Sequence, residues 1–560
     1  MYQSLYYSRT SRTYHLRDSV DGWSQFKYKP YGYIEDEDGE YTTIFGKKVN
    51  PISGFDWKDP KINESDIDRI TRVLVDTYYE SDDIPDYQNI VFFDIENEIK
   101  GTLTQESIRE AEGKITAISL YDNTTKIYYC YVLDNSKKLN KIDNKDKIII
   151  PCKNERELLQ LFLDKWEECD PTIISGYNSV FFDVPYLVSR ITKVLGRNHA
   201  CRLSPIREIE EGEFLGEKYT KIAGVNHLDY MLLFKKYVTT QEPSYKLGDI
   251  GEKYVNLGKI EYEGSLDKLF NEDVDKFIEY NIRDVEILVK LEEKLKFIDL
   301  SVVICHLCHV TYENIYMATV LNEGAILTYL KRNKLVSPNK PTTINPLLSE
   351  IKEGYAGGYL LEPVPGVYEL VTDADYSSLY PTIIRSLNLG IETYVGRIME
   401  RTDQYDCWWG LQDLKEKDPE EFVNIELKNL EVKKVTIRKL INIIENNKFT
   451  ISPSGAMFRT DIKSVPNEVL TDWFNKRIEY KNSMKAAYKS GDKEKGDFYN
   501  RYQHSFKILL NSLYGCFAIN SWRYTDGRKI LSAAITLCGH RFIQESIREV
   551  NKIIDEEFLT

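Results

Sequence analysis

Residues 89–96 read Asn-Ile-Val-Phe-Phe-Asp-Ile-Glu, an apolar run that ends in two acids spaced two apart. Its length and composition predict a buried strand. Side chains alternate across a strand, so Asp94 and Glu96 share one face. Two hard oxygen donors on a rigid element suit a divalent metal such as magnesium or manganese. The spacing alone is common, and taken by itself a strand ending in solvent is the better account of it. Glu98 continues the alternation and reads as solvated.

The surroundings supply the rest of a fold. Residues 115–121 and 126–132 read as further strands, 155–169 as a helix and 171–175 as a strand. Strands alternating with helices imply an α/β domain to about residue 300. The first 88 residues are rich in Tyr and turn residues, with a turn signal at Asp36-Glu-Asp-Gly39 and a Pro-containing boundary at 81–86. A second α/β region starts near 351, with an expected strand at 369–375. Helices are expected from Ser464-Val-Pro466 and over about 497–514, joined by a polar turn at 490–496 into a helical hairpin. Residues 528–558 read as one more helix.

A chain of 560 residues has room for about three to five domains. Its net charge of 74 − 88 = −14 excludes nucleic-acid binding by bulk positive charge, but not a local basic channel. Nine thinly spread cysteines argue against a disulfide framework. No signal peptide is visible, and no stretch reaches the ~18 apolar residues of a membrane span. A soluble, cytoplasmic protein with no membrane partner is expected.

Two later segments strengthen the acidic pair. Ser175-Gly-Tyr-Asn178-Ser-Val-Phe-Phe-Asp183 follows a strand and enters a helix, which places Asp183 near the helix start. Tyr280-Asn-Ile-Arg-Asp284 puts Tyr280 and Asp284 on one helical face. Asp-x-Glu, Asn-x4-Asp and Tyr-x3-Asp thus occur in order within about 190 residues, a set that resembles the three motifs of RNase H-fold 3′–5′ proofreading exonucleases. The resemblance makes Asp94, Glu96, Asp183 and Asp284 ligands of two divalent ions and has Tyr280 orient the attacking water or the scissile phosphate. Four carboxylates can hold two ions about 4 Å apart, one activating water and the other stabilising the leaving 3′-oxygen. Clustered acids repel unless a cation neutralises them.

Further along, Asp375-Tyr376-Ser377-Ser378-Leu379-Tyr380-Pro381 resembles motif A of family B DNA polymerases. The resemblance makes Asp375 a ligand of both catalytic metals. It sets Tyr376, Ser377, Ser378 and Leu379 around the triphosphate, where a strand turns into a helix. It places Tyr380 under the sugar, excluding a 2′-hydroxyl. Asp373 is not expected to be a ligand. Lys507-Ile-Leu-Leu-Asn511-Ser-Leu-Tyr514-Gly515 matches motif B of the same family. Lys507 would bind and protonate the pyrophosphate, Asn511 and Tyr514 would face the incoming nucleotide, and Gly515 would allow close approach. Arg477 and Lys481, i and i+4 on the preceding helix, read as a solvated charged face or, by the resemblance, as the pair that holds the triphosphate. Tyr355-Ala-Gly357-Gly358 is similar to the family's Tyr-x-Gly-Gly element, which would touch template backbone.

The chain is therefore identified as resembling family B DNA polymerases of T-even-like tailed phages, on cues that include Phe182-Asp-Val-Pro-Tyr186 and Ser452-Pro-Ser-Gly-Ala-Met-Phe458. Residues 206–224 stand where that family carries a strand-separating hairpin, and 400–446 read as an added palm segment. The implied fold is a multidomain α/β protein. An N-terminal β-rich domain spans 1–88 with part of 312–350, and the exonuclease domain spans 89–311. A partial α+β palm takes 351–464 and 507–560, and helical-hairpin fingers take 465–506. Motif C, Asp-Thr-Asp, does not occur. The expectation is an amino-terminal polymerase portion with two magnesium or manganese ions per active site. It would act on primer-template DNA and deoxynucleoside triphosphates. A C-terminal chain would supply motif C, the thumb and the route to a sliding clamp. A stand-alone 3′–5′ exonuclease and a non-catalytic primer-template binding subunit are the alternatives. Cys305-His-Leu-Cys308-His309 fits a haem-attachment spacing, but no haem is expected; the segment reads as a helix with buried thiols.

Overall fold

The computed structural model describes residues 1–85, 87–98, 101, 104–134, 139–214, 216–341, 357–369, 371, 373–400 and 408–557. They form two compact units. One comprises residues 1–28 and 81–316, the other 29–80 and 317–560. The stretch 1–88 thus contributes to both.

The first unit is built on a seven-stranded sheet. Its order is Ile142–Asp143, Lys147–Cys152, Ile127–Leu133, Ile115–Asp122, Ile90–Asn97, Ile173–Ser175, Asn226–His227. Ile90–Asn97 lies inside it, antiparallel to Ile115–Asp122 and parallel to Ile173–Ser175. Burial on both faces explains its nearly unbroken apolar run. Phe93 points to one face and meets Trp166 of helix Glu155–Cys169 edge-on at 6.0 Å. Asp94 points to the other, under helix Val274–Leu295. That helix is amphipathic; Phe277, Ile278, Val285, Leu288 and Leu291 are buried along it. Asn154 caps the start of Glu155–Cys169. Arg190 forks onto Glu155 at 2.6 and 2.7 Å, tying the first turn of that helix to helix Asp183–Leu195.

Three N-terminal strands, Tyr2–Ser8, Thr13–Asp18 and Gly22–Phe26, form a separate sheet. Tyr2 anchors it: its hydroxyl donates to the Cys305 and Val310 carbonyls, and its ring stacks on His306 at 4.1 Å. Residues 206–224 contain an antiparallel hairpin, Ile209–Phe214 with Glu217–Ile222.

In the second unit, Leu335–Val336, Tyr41–Thr43, Lys48–Ser53 and Tyr31–Glu35 form a four-stranded sheet. Pairing of 335–336 with 42–43 joins two distant parts of the sequence. Arg523, almost wholly buried, gathers Glu323, Asp66 and the Pro338 carbonyl around its guanidinium. A five-stranded antiparallel sheet runs Val432–Thr436, Phe422–Leu427, Tyr394–Ile398, Ala456–Phe458, Thr450–Ile451. Its two outermost strands on one side fall within the expected added segment.

The helical hairpin is present as Val465–Lys489 and Lys493–Phe517. Ser464 caps the first helix and Pro466 sits in its first turn, where a missing N–H costs nothing. Gly491, at φ +83°, makes the tight reversal. Tyr480 of the first helix stacks on Tyr502 at 4.9 Å and Phe506 at 5.9 Å of the second. The last helix is Ile530–Glu557. The strand expected at 369–375 is not formed among the described residues, where 371 and 373–376 have no regular structure. A strand persists only with a hydrogen-bonded neighbour, and no described strand pairs with this segment.

Candidate active sites

Carboxylate oxygens of Asp94, Glu96 and Asp284 lie within 4.8 Å of one another, the only such group of potential metal donors among the described residues. Sheet and helix bring them together. The strand presents Asp94 and Glu96 on one face, and helix Val274–Leu295 lowers Asp284 onto that face. Asn281, one turn before Asp284, donates from Nδ2 to Asp94 Oδ2 at 2.8 Å and accepts from Ser119 Oγ at 2.6 Å, which fixes the Asp94 carboxylate. Asp183 stands beside this trio at the start of its helix and accepts from the Ile95 N–H at 3.3 Å.

The electrostatics are those of a cation site. Burial, then repulsion from Asp284, Glu96 and Asp183, raises Asp94 well above the ordinary carboxylate range. Burial and the Asp284 charge push Glu96 up to about 8. Burial pushes Asp183 up to about 7, against the pull of two backbone N–H groups. Burial also raises Asp284, whose Oδ1 is buried without a hydrogen-bond partner. Lys259 opposes these shifts. Its Nζ lies 2.5 Å from Asp284 Oδ2 and 3.1 Å from the Tyr280 hydroxyl. Burial alone would lower the ammonium, but Asp284, Asp94 and Tyr280 outweigh it and hold Lys259 above its usual value. Burial and Asp284 raise Tyr280, so its hydroxyl stays protonated near neutral pH.

Hard donors, an orphaned carboxylate oxygen and a mutual repulsion that one lysine only partly relieves fit divalent ions such as magnesium or manganese. A cavity of about 600 Å³ opens over the site, lined by Asp94, Tyr177, Asn178, Lys246, Lys259 and Asp284 among others. Lys259 and Asn281 were not legible as site residues. Lys259 sits on an irregular segment with no period to mark it. Asn281 is adjacent to Tyr280, and its position one turn from Asp284 was the available signal.

The second cluster lies around helix Leu379–Leu387. Ser378 precedes the helix in the left-handed region, φ 55° and ψ 55°, an unfavourable conformation for a serine. Arg477 Nη1 reaches Ser378 Oγ at 3.4 Å, and Arg477 Nε is buried without a partner. Tyr380 and Tyr514 pack ring on ring at 4.4 Å. A Cβ on Gly539 would stand 3.1 Å from the Tyr380 ring, so a glycine there lets helix Ile530–Glu557 come close. Tyr376 contacts Ser546 and packs near Phe542 at 6.3 Å. Asp375, Ser377, Lys481, Lys507, Asn511 and Gly515 are exposed, and Leu379 is half-buried. Open space adjoins Gly515. Gly357 offers its carbonyl to His540 Nε2 at 2.6 Å, and Gly358 lies near the Tyr380 hydroxyl. Tyr355 lies outside the described residues. Asp375 and Asp373 belong to no group of clustered metal donors among the described residues.

The Cys305–His309 segment ends helix Phe297–Cys308 in a buried position. Its potential ligand atoms do not converge into a metal-binding group. His306 Nε2 is engaged with the Tyr312 hydroxyl at 2.9 Å.

An acid-lined cleft thus occupies the α/β unit, and a helical hairpin stands beside the turn into helix Leu379–Leu387. The chain belongs to DNA polymerase family B: the sequence model for the family B exonuclease domain matches residues 48–250 and that for DNA polymerase family B matches 310–559. It is 27% identical over 524 residues to the DNA-directed DNA polymerase of Escherichia phage RB69, covering 80% of this chain and 53% of the relative. To that of Enterobacteria phage T4 it is 25% identical over 582 residues, covering 93% and 64%. The DNA polymerase of Thermococcus gorgonarius is 24% identical over 503 residues, covering 88% and 55%. The chain thus spans between half and two-thirds of the length of these relatives. Among the described residues no helix is long and apolar enough to cross a membrane.

Proposed function

We propose that the chain is the amino-terminal portion of a replicative DNA polymerase of the T-even-like phage group, with a 3′–5′ proofreading exonuclease and one part of the nucleotidyl-transfer site. The convergence of Asp94, Glu96 and Asp284 beside Lys259 and Tyr280 in one cleft carries this reading. Asp94, Glu96, Asp183 and Asp284 would hold two divalent ions, which would supply charge stabilisation and water activation. The chain's own residues set the geometry. Asn281 orients the Asp94 carboxylate, and Lys259 limits repulsion among the acids. The protonated Tyr280 hydroxyl donates to the water or to a phosphate oxygen. Water adds to the terminal phosphorus, the 3′-oxygen leaves, and a nucleoside monophosphate departs from the shortened strand.

In the second unit, Arg477, Lys481 and Lys507 bind the triphosphate over the Ser378 turn, and Lys507 gives a proton to departing pyrophosphate. Tyr380, held against Tyr514, closes the space a 2′-hydroxyl needs. Asp375 draws a second acidic residue from polypeptide outside this sequence. That complementing part also carries the thumb and the link to a sliding clamp, in the host cytoplasm. The Arg477–Ser378 contact and the tilted packing of Tyr380 on Tyr514 favour this reading over a stand-alone exonuclease or a passive DNA-binding subunit, neither of which needs a nucleotide site. A 5′-labelled primer-template with magnesium tests it. The pure chain is expected to shorten the primer and not to extend it when deoxynucleotides are added. Extension by the chain alone would refute the need for a complementing part, and failure to shorten would refute the nuclease.

A further inference from the structure

Helix Lys493–Phe517 has two faces. Tyr502, Phe506, Leu509, Leu510 and Leu513 are buried. His504, Lys507, Asn511 and Tyr514, spaced three, four and three apart, share the other face, where His504, Lys507 and Asn511 are exposed. Lys507, Asn511 and Tyr514 belong to the nucleotide site described above. His504 lies one turn nearer the hairpin tip on the same face, and nothing in that site yet uses it.

We propose that His504 is a fourth cationic group of the nucleotide site, one that donates to the phosphates of a nucleotide or of pyrophosphate when they arrive. The inference rests on the nucleotide-site reading of Arg477 and Lys507. Two charges act on the imidazole, Lys507 on its own helix and Arg477 on helix Val465–Lys489; Lys481 stands one turn further toward the tip. Among the described residues, no acid is among the groups acting on it from the helices packed against this one, Ala318–Arg332, Leu379–Leu387 and Ile530–Glu557. Partial loss of water on the helix-facing side of the ring, whose outer edge stays open to solvent, and these two cations hold the imidazole below its usual value. A polyphosphate reverses the local field. Its negative charge favours the imidazolium, so the ring takes one proton from solvent and gains a donor for a phosphate oxygen. Binding and proton uptake are then linked, and each strengthens the other.

The test uses inorganic pyrophosphate and the whole chain in metal-free buffer, by titration calorimetry between pH 5.5 and 8 in two buffers of different ionisation heat. H504Q, H504K and R477A are compared with the unchanged chain, and thermal melts confirm that each is folded. Relative to H504Q, the unchanged chain should gain affinity by up to about tenfold per pH unit as pH falls through the histidine range, with uptake of up to one proton. H504K should bind tightly without that dependence. Equal pH slopes for H504Q and the unchanged chain, with binding lost in R477A, would overturn the role of His504 and leave the nucleotide site standing. Binding that R477A leaves intact, or no binding by the unchanged chain, would overturn the nucleotide-site reading and this inference with it.

Discussion

Lys259 Nζ rests 2.5 Å from Asp284 Oδ2, so a lysine from an irregular segment sits at the edge of a site made otherwise of acids. The chain carries part of the positive charge its carboxylates require. That part is too small: Asp284 Oδ1 stays without a partner, and Asp94 and Glu96 remain displaced toward their neutral forms. The carboxylate site is therefore poised for added cations.

Removing the acids should remove the chemistry and spare the grip. Asp94→Ala with Asp284→Ala should lower primer shortening by at least about 10³-fold while DNA binding, followed by fluorescence anisotropy, persists. Metal-dependent nuclease surviving in the pure double variant would show that other residues do the work.

Charge at the same site should trade against stability. Glu96→Gln relieves repulsion, so it should raise the melting temperature in chelator and abolish the rise that magnesium gives the unchanged chain. Lys259→Met takes away the compensating cation and should have the opposite sign in chelator, costing about 1–2 kcal/mol because solvent screens the partly exposed lysine. Differential scanning fluorimetry with and without magnesium distinguishes the two.

A separate buried acid predicts the pH dependence of folding. Glu292 accepts hydrogen bonds from Tyr230 and the Ile298 N–H, and burial with the nearby Asp299 charge pushes it up to about 8. The unfolded chain ionises this group near the ordinary 4.5, so it releases a proton that the folded chain keeps. Stability falls as pH rises from about 4.5 to about 8, by about 1.4 kcal/mol per pH unit for this proton, and levels off above. Denaturant melts of Glu292→Gln across that window should lack this share of the slope; identical slopes would contradict it.

The proposed sugar gate can be read in a polymerase completed by the proposed complementing part. Tyr380→Ala empties the space against Tyr514 and should weaken rejection of ribonucleotides by about 10–100-fold. Primer extension with paired deoxy- and ribonucleotides measures it, and unchanged rejection would free Tyr380 of the role.

What the sequence could reveal depended on periodicity. Asp94 and Glu96 were legible because a strand repeats every two residues, and Tyr280 with Asp284 because a helix brings every fourth residue round. Ser464 and Pro466 announced their helix by capping chemistry. Lys259 has no such period; it reaches Asp284 through the path of the chain after helix Leu247–Val255. The apolar run at 369–375 looked like a strand because composition reports burial preference, whereas a strand also needs a neighbour. The division of residues 1–88 between two units was hidden for a related reason. Contacts such as the 335–336 to 42–43 pairing leave no local trace.

The stack of Tyr480 on Tyr502 and Phe506 makes the helical hairpin a lever rather than a pair of independent rods. Each arm has 25 residues, about 37 Å of helix, and the aromatic rings clasp the arms part-way along. Arg477 stands near the fulcrum and Gly491 at the far end. A tilt of about 10° about the Tyr480 clasp that moves Arg477 by roughly an ångström would sweep the Gly491 turn, about 17 Å along the helix, through roughly 3 Å. A fluorophore on the turn would thus report, enlarged about three- to fourfold, a movement at the arginine too small to see directly.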